Sequence, residues 1–156
     1  MARNYTQLVS PTPYSIMATA SNNGSKLGVG STVILNFVTD PTLPNQTTDN
    51  LRVPPSEKWL FYSVYTPSTP TGDGFVTIKI NGISQNVQWG PLSQTVPTQY
   101  HVIPQNSRIL AEPNDIVQMY LVLSNSGFST TSAVSDTIYV NIMRIPKNYK
   151  GVVRIS

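Results

Sequence analysis

Phe75-Val76-Thr77-Ile78-Lys79-Ile80, then Asn81-Gly82, then Ile83-Ser84-Gln85-Asn86-Val87-Gln88-Trp89, is the stretch whose reading decides the fold. Asn-Gly tolerates positive φ at both central positions of a type I′ turn, whose twist matches that of the flanking strands. Successive side chains of a strand point to opposite faces. Val76, Ile78 and Ile80 therefore point one way, and Thr77 and Lys79 the other. The hairpin predicts a sheet with a core on one side.

Working outward, the same alternation recurs. Residues 116–123 form a strong strand, and residues 137–145 form another with Ile138, Val140 and Ile142 on one face. In residues 57–65, Leu60, Tyr62 and Val64 alternate with Trp59, Phe61 and Tyr65, so both faces read as covered. Residues 29–38 read the same way, with Val33, Leu35 and Phe37 on one face and Ile34 and Val38 on the other. Shorter strands are expected at 98–103 and 107–110, with an edge strand at 151–155. Gly90-Pro91 reads as a break and Glu112-Pro113-Asn114-Asp115 as a turn. Long Pro-, Gly- and Thr-rich loops cover 39–56, 66–74 and 124–135. Loops of that length in a small domain usually carry function or contacts.

Composition agrees. The 156 residues include 45 Val, Ile and Thr, against 22 Ala, Leu, Glu and Lys. β-branched side chains fit a pleated surface and lose rotamer freedom in a helix. An all-α fold and a βαβ enzyme fold are thereby disfavoured, and a disulfide scaffold is excluded because the chain has no cysteine. One helical turn is expected at 14–20 and nowhere else. Sheets without covering helices bury their faces on each other. The expected fold is all-β: a single antiparallel β-sandwich of about eight to nine strands with jelly-roll (Greek-key) topology. Long loops with only one tight hairpin favour it over an up-and-down barrel. An Ig-like sandwich is the alternative, although its Cys…Trp…Cys pattern is absent. Residues 1–25 read as an extended N-terminal arm, 26–145 as the sandwich, and 146–156 as a basic tail or edge strand.

The inventory of chemistry is short. His101, the one histidine, lies in an expected strand beside Tyr100 and reads as structural rather than as a general base or zinc ligand. The acids Asp40, Asp49, Glu57, Asp73, Glu112, Asp115 and Asp136 fall mostly at strand ends and turns, where carboxylates form Asx-type hydrogen bonds. Thr71-Gly72-Asp73-Gly74 offers too few oxygen donors for calcium by itself. No serine elbow, phosphate loop or dinucleotide fingerprint occurs. The expectation is a non-enzyme with no cofactor and no metal. Aromatic side chains in strands are usually core or subunit interface, so Trp59, Phe61, Tyr65 and Trp89 are the expected packing or interface anchors. A sugar-stacking platform built from Trp59, Tyr62, Tyr65, Trp89 and Tyr100 is the competing reading.

Charge is scarce, at 11% of residues, and uneven. The net charge is +3, yet residues 1–143 hold 6 basic and 7 acidic side chains. Arg144, Lys147, Lys150 and Arg154 make up the excess and form a candidate anion-contacting tail for nucleic acid or lipid headgroups. The plainer reading is a solvated last strand. No apolar h-region opens the chain and no run approaches a membrane span, so a protein without signal peptide or transmembrane segment is expected.

Arg108-Ile109-Leu110, Pro113-Asn114-Asp115-Ile116-Val117, the Gly127-Phe128 loop and the alternating strand 137–145 resemble the closing strands of eight-stranded jelly rolls. Such strands occur in viral capsid, penton and turret-type proteins and in trimeric heads of the TNF and C1q kind. Asn114 departs from the heads, where Gly is common before the Asp. The polar arm, Asn/Thr/Ser/Pro-rich loops and sparse charge also resemble virion structural proteins. The resemblance implies assembly into a symmetric shell, vertex or spike, through self-association or contacts with other virion proteins. A receptor- or carbohydrate-binding head of a fibre or adhesin is the alternative, with a glycan receptor as partner.

Overall fold

Twelve strands are assigned in the computed structural model, which describes residues 8–38, 40, 43, 46–67, 74–92, 100–124 and 134–155. They are β1 (Thr12–Ser21), β2 (Thr32–Ile34), β3 (Asn36–Phe37), β4 (Leu51–Arg52), β5 (Glu57–Tyr65) and β6 (Gly74–Ile80). The second half adds β7 (Ile83–Ser84), β8 (Trp89–Leu92), β9 (Tyr100–Val102), β10 (Ile109–Ala111), β11 (Ile116–Leu123) and β12 (Ser135–Pro146). One 3-10 turn, Gln105–Ser107, is the sole helical element among the described residues.

All pairings are antiparallel and build two sheets. The first has the order β10-β5-β12-β1-β3, with β9 also on β5; the second has β2-β11-β6-β7, with β4 on β11 and β8 on β6. Apart from the two-residue β3 on the outer edge of β1, collinear short strands merge into eight lines. One sheet then reads sixth-third-eighth-first and the other second-seventh-fourth-fifth, which is the jelly-roll order rather than the Ig-like one. The inner faces bury Ile16, Ala18, Phe61, Val140 and Ile142 against Val76, Ile78, Val117, Met119 and Leu121. Each fully buried large aliphatic or aromatic side chain stabilises the fold by about 1.5–3 kcal/mol.

The turn and the first arm form as read, but the second arm, expected over residues 83–89, pairs only at Ile83–Ser84 before the chain leaves the ladder and rejoins it at β8. Asn81 and Gly82 have φ of 53° and 80°, and β6 alternates buried and half-buried along its length. The Asn81 side chain clamps the neighbouring loop: its Nδ2 donates to Asp115 Oδ1, and its Oδ1 accepts from the Ile116 N–H, each at 2.9 Å.

Five expectations are corrected. The arm expected at 1–25 and the helical turn at 14–20 are replaced over residues 12–21 by β1, a ten-residue strand between β12 and β3. Its core positions Ile16, Ala18 and Ala20 are buried, and the small Ala18 stands opposite Phe37 and Ile138. The sandwich thus begins before residue 26. The strand expected at 29–38 breaks at Leu35: β2 joins one sheet and β3 the other. Ile34 is half-buried and Val38 exposed, so only one side of this segment is covered. Gly90-Pro91 does not end the pairing, because β8 runs through it with Trp89 opposite Val76 and Leu92 opposite Gly74. Gly90 has φ +146°, and a Cβ there would lie 3.1 Å from the Gly74 carbonyl oxygen, so this crossing requires glycine. Finally, residues 151–155 pair with no strand. The Thr71-Gly72-Asp73-Gly74 stretch, apart from Gly74, and the Gly127-Phe128 loop lie outside the described residues.

β5 contains a bulge. Asn141 stands opposite Ser63 and Ile142 opposite Phe61, which leaves Tyr62 as the extra residue. The inward-facing set therefore changes parity, from Trp59 and Phe61 to Val64. The bulge is why apolar residues occur at both parities; the outer face is covered less fully than the inner one, with Leu60 and Tyr65 half-buried and Ser63 buried.

Candidate functional site

Trp59, Phe61 and Trp89 are each 0% exposed. Phe61 and Trp89 stack across the sandwich, with ring centroids 6.1 Å apart at 27°. The Trp89 indole N–H donates to the Ser107 carbonyl at 3.0 Å. These three are packing anchors within the chain, and no sugar can reach the indoles as the structure stands. Tyr65 differs: it is half-buried and faces outward, 6.0 Å from Tyr139.

The four basic residues expected to act together are separated. Arg144 is an inward member of β12. Its Nε donates to Glu57 Oε1 and its Nη2 to Glu57 Oε2, each at 2.7 Å, and the two side chains are 13% and 4% exposed. The Trp59 indole N–H donates to the same Glu57 Oε1 at 3.0 Å. Arg144 also lies 5.3 Å from the centre of the Tyr14 ring. A bidentate pair with its remaining acceptor capacity used by an indole is the arrangement that makes a buried ion pair tolerable. Arg144 is thus spent on the core. Lys147, Lys150 and Arg154 remain exposed.

Sequence reasoning missed this pair because Glu57 and Arg144 stand far apart in the chain. Only knowing that β5 lies beside β12 brings them together. His101 stands opposite Val64 in the β5–β9 ladder. No group of three or more His, Cys, Asp or Glu side chains that could hold a metal occurs among the described residues. No helix among them is long and apolar enough to cross a membrane.

What the structure does assemble is the outer face of the β1-containing sheet, written out by register in three bands. Val38, whose N–H donates to the Met17 carbonyl, begins an apolar and aromatic band that continues through Met17, Tyr139 and Tyr65. The next band is polar: Ser15, Asn141 and Ser63 stand in line. The Ser15 hydroxyl donates to Asn141 Oδ1 at 2.6 Å, and Asn141 Nδ2 donates to the Ser63 hydroxyl at 2.7 Å. The third band is apolar again, running through Pro13, Met143, Leu60 and Leu110. Val153 and Ile155 cross near it, and with Leu60, Leu110, Gln105 and Arg108 they line a cleft of about 360 Å³. Met17, Val38, Val102 and Leu110 are exposed. Lys58 is the one charged side chain among the outward strand positions of this face in the described residues.

No protein-family model matches the chain, and no curated protein matches it. Among solved structures it is similar to a family 35 carbohydrate binding module from Clostridium thermocellum, with TM-score 0.40 and 13% identity over 86% of this chain and 98% of that one. Murine APRIL gives TM-score 0.39 and 10% identity over 85% and 100%. A Podospora anserina GH26-CBM35 β-(1,4)-mannanase gives 0.38 and 10%, over 91% of this chain and 29% of that one. Scores this low carry no argument about function, and the jelly-roll assignment stands on the strand order itself.

Proposed function

We propose that the chain is a non-enzymatic assembly subunit, acting through contacts with further copies of itself or with other structural proteins. A virion capsid, penton or turret subunit is the form of this reading that the sequence resemblance supports. The observation that carries it is the outer face of the β1-containing sheet: exposed Met17, Val102 and Leu110 lie on strands, and exposed Val38 just past β3, and among the described residues the outward strand positions carry a single charge, Lys58. Interface cores are depleted in charge and enriched in aromatic and methionine side chains. The exposed Lys147, Lys150 and Arg154 support a weaker role, contact with an anionic genome or lipid surface. Light scattering across a concentration series tests the main reading. Concentration-dependent growth beyond the 17.1 kDa chain is expected; a monomer at every concentration overturns it.

A second reading, a receptor- or glycan-binding head, draws on the outward Tyr65 and Tyr139 rings beside the Ser15–Asn141–Ser63 band. Aromatic faces stack on sugar C–H groups while hydroxyls and amides bond the rim. A glycan array with the native chain and Tyr139→Ala separates the two: saturable binding lost in the variant favours the head.

A further inference from the structure

Among the described residues, every long strand except one has both of its edges occupied. β11 lies between β6 on one side and β2 with β4 on the other. β6 lies between β11 and the pair β7 and β8, β5 lies between β12 and the pair β9 and β10, and β12 lies between β5 and β1. β1 pairs with β12 along all ten residues, but its other edge meets β3 only at Ala18 and Thr19. The Val38 N–H on the Met17 carbonyl, at 3.0 Å, extends that contact by one residue. Among the described residues, none pairs with the outer edge of residues 12–16.

Backbone geometry says what this edge offers. The Met17 carbonyl points away from β12, toward Val38. Backbone groups alternate sides along a strand, so Ser15 and Pro13 point the same way. Ser15 supplies an N–H and a carbonyl, and Pro13 supplies a carbonyl only. Thr12, Pro13 and Ser15 are exposed, and the whole strand, TPYSIMATAS, carries no charge. Natural edges are usually blunted by charged side chains, bulges or shortness. Pro13 is the one such device here.

We propose that residues 12–16 of β1 pair antiparallel with the same residues of a second copy, about a two-fold axis at Tyr14. The inference rests on the assembly reading above and names its contact. Two constraints set the register. Val38 already fills the edge beside Met17, so the added strand reaches no further than Ile16. Pro13 lacks an N–H, so it must face a group that needs only an acceptor. With Tyr14 opposite Tyr14, Pro13 stands opposite Ser15. Each Ser15 N–H then donates to a Pro13 carbonyl of the other copy, and each Ser15 carbonyl stays with water, as it is now. The two tyrosines occupy a non-hydrogen-bonded position, where Cα atoms approach to about 4.5 Å, and cross-strand aromatic pairs are stabilising there. A two-fold contact sets every patch against itself, which penalises charged patches and suits an uncharged strand. The result is one sheet continuous across two subunits.

The test exploits the absence of native cysteine. In full-length Tyr14→Cys the two thiols meet at the axis, at a separation that a disulfide spans. Under mild oxidation covalent dimer is expected to form roughly tenfold or more faster than in the control Ile83→Cys, because pairing raises the local thiol concentration. Ile83 is 67% exposed and far from β1 in the sheet order. An independent arm is Ser15→Pro, which removes the outward N–H; its far-ultraviolet circular dichroism should stay native while the dimer dissociation constant rises about tenfold. Native assembly with slow Tyr14→Cys cross-linking and an unaffected Ser15→Pro overturns this edge and leaves the assembly reading standing. Weakened Ser15→Pro assembly without a Tyr14→Cys cross-link means that the edge takes a different strand, and the two-fold pairing is overturned. A native chain that never associates overturns both.

Discussion

The two faces of the β1-containing sheet are built from alternate residues of the same strands, yet they follow different rules. Inward, β12 presents Ile138, Val140 and Ile142, all essentially unexposed, and β1 presents Ile16, Ala18 and Ala20. Outward, the same strands present Tyr139 and Asn141, and Ser15, Met17 and Thr19. Among the described residues the inner face contains the ion pair of Glu57 with Arg144, hydrogen-bonded further by the Trp59 indole, and a buried Asp136 opposite Ala20. The outer face has almost no charge and leaves large apolar side chains in water. The inner face is thus covered throughout by the opposite sheet, whereas on the outer face the chain buries Met143 and Ile145 and leaves Met17, Val38, Val102 and Leu110 exposed.

The largest test of this contrast is Arg144→Ala. It leaves the Glu57 carboxylate buried with only the Trp59 indole as partner, and breaking such a pair costs about 3–5 kcal/mol. Urea unfolding should show that loss, and replacing both partners by apolar side chains of similar size should restore much of it. A single-variant loss below about 1 kcal/mol would mean that the pair behaves as a solvated surface contact. Next come neighbours on opposite faces of β12. Ile142→Ala should cost about 2–5 kcal/mol through a cavity. Asn141→Ala should cost about 1–3 kcal/mol through its lost hydrogen bonds to Ser15 and Ser63. Equal losses would erase the distinction between the faces. The smallest effect on stability is expected for Met17→Lys, within about 0.5 kcal/mol, while light scattering should show weakened self-association. If Met17→Lys instead unfolds the chain, the outer face is packed against something in the same molecule.

This contrast also explains what could be read from the sequence. Period-two alternation located β5, β6, β11 and β12 because their inward positions are large and β-branched or aromatic. It missed β1 because two of its core positions are Ala18 and Ala20, whose small side chains read as helix-compatible rather than as a buried stripe. Alanine is needed there because Phe37 and Ile138 fill the space opposite Ala18. That information belongs to other strands. The bulge at Tyr62 and the sheet change at Leu35 were hidden for the same reason, since each is set by a partner and not by local propensity. Trp59, Phe61 and Trp89 were identified as anchors, but their burial needed the fold. The three outer bands arise only from the register of five strands and have no local signature. The Glu57–Arg144 pair needed the β5–β12 register as well.

The passage from β2 to β3 through Leu35 has a mechanical consequence. This short connection carries the chain directly from one layer to the other, and the buried Leu35 N–H donates to the Met119 carbonyl at 2.9 Å. It acts as a stitched seam: on that flank the layers cannot part like the covers of a book unless both margins come loose together. Opening there is coupled to loss of the whole fold. The Leu35 amide should therefore exchange with deuterium no faster than the slowest amides at the centre of β11.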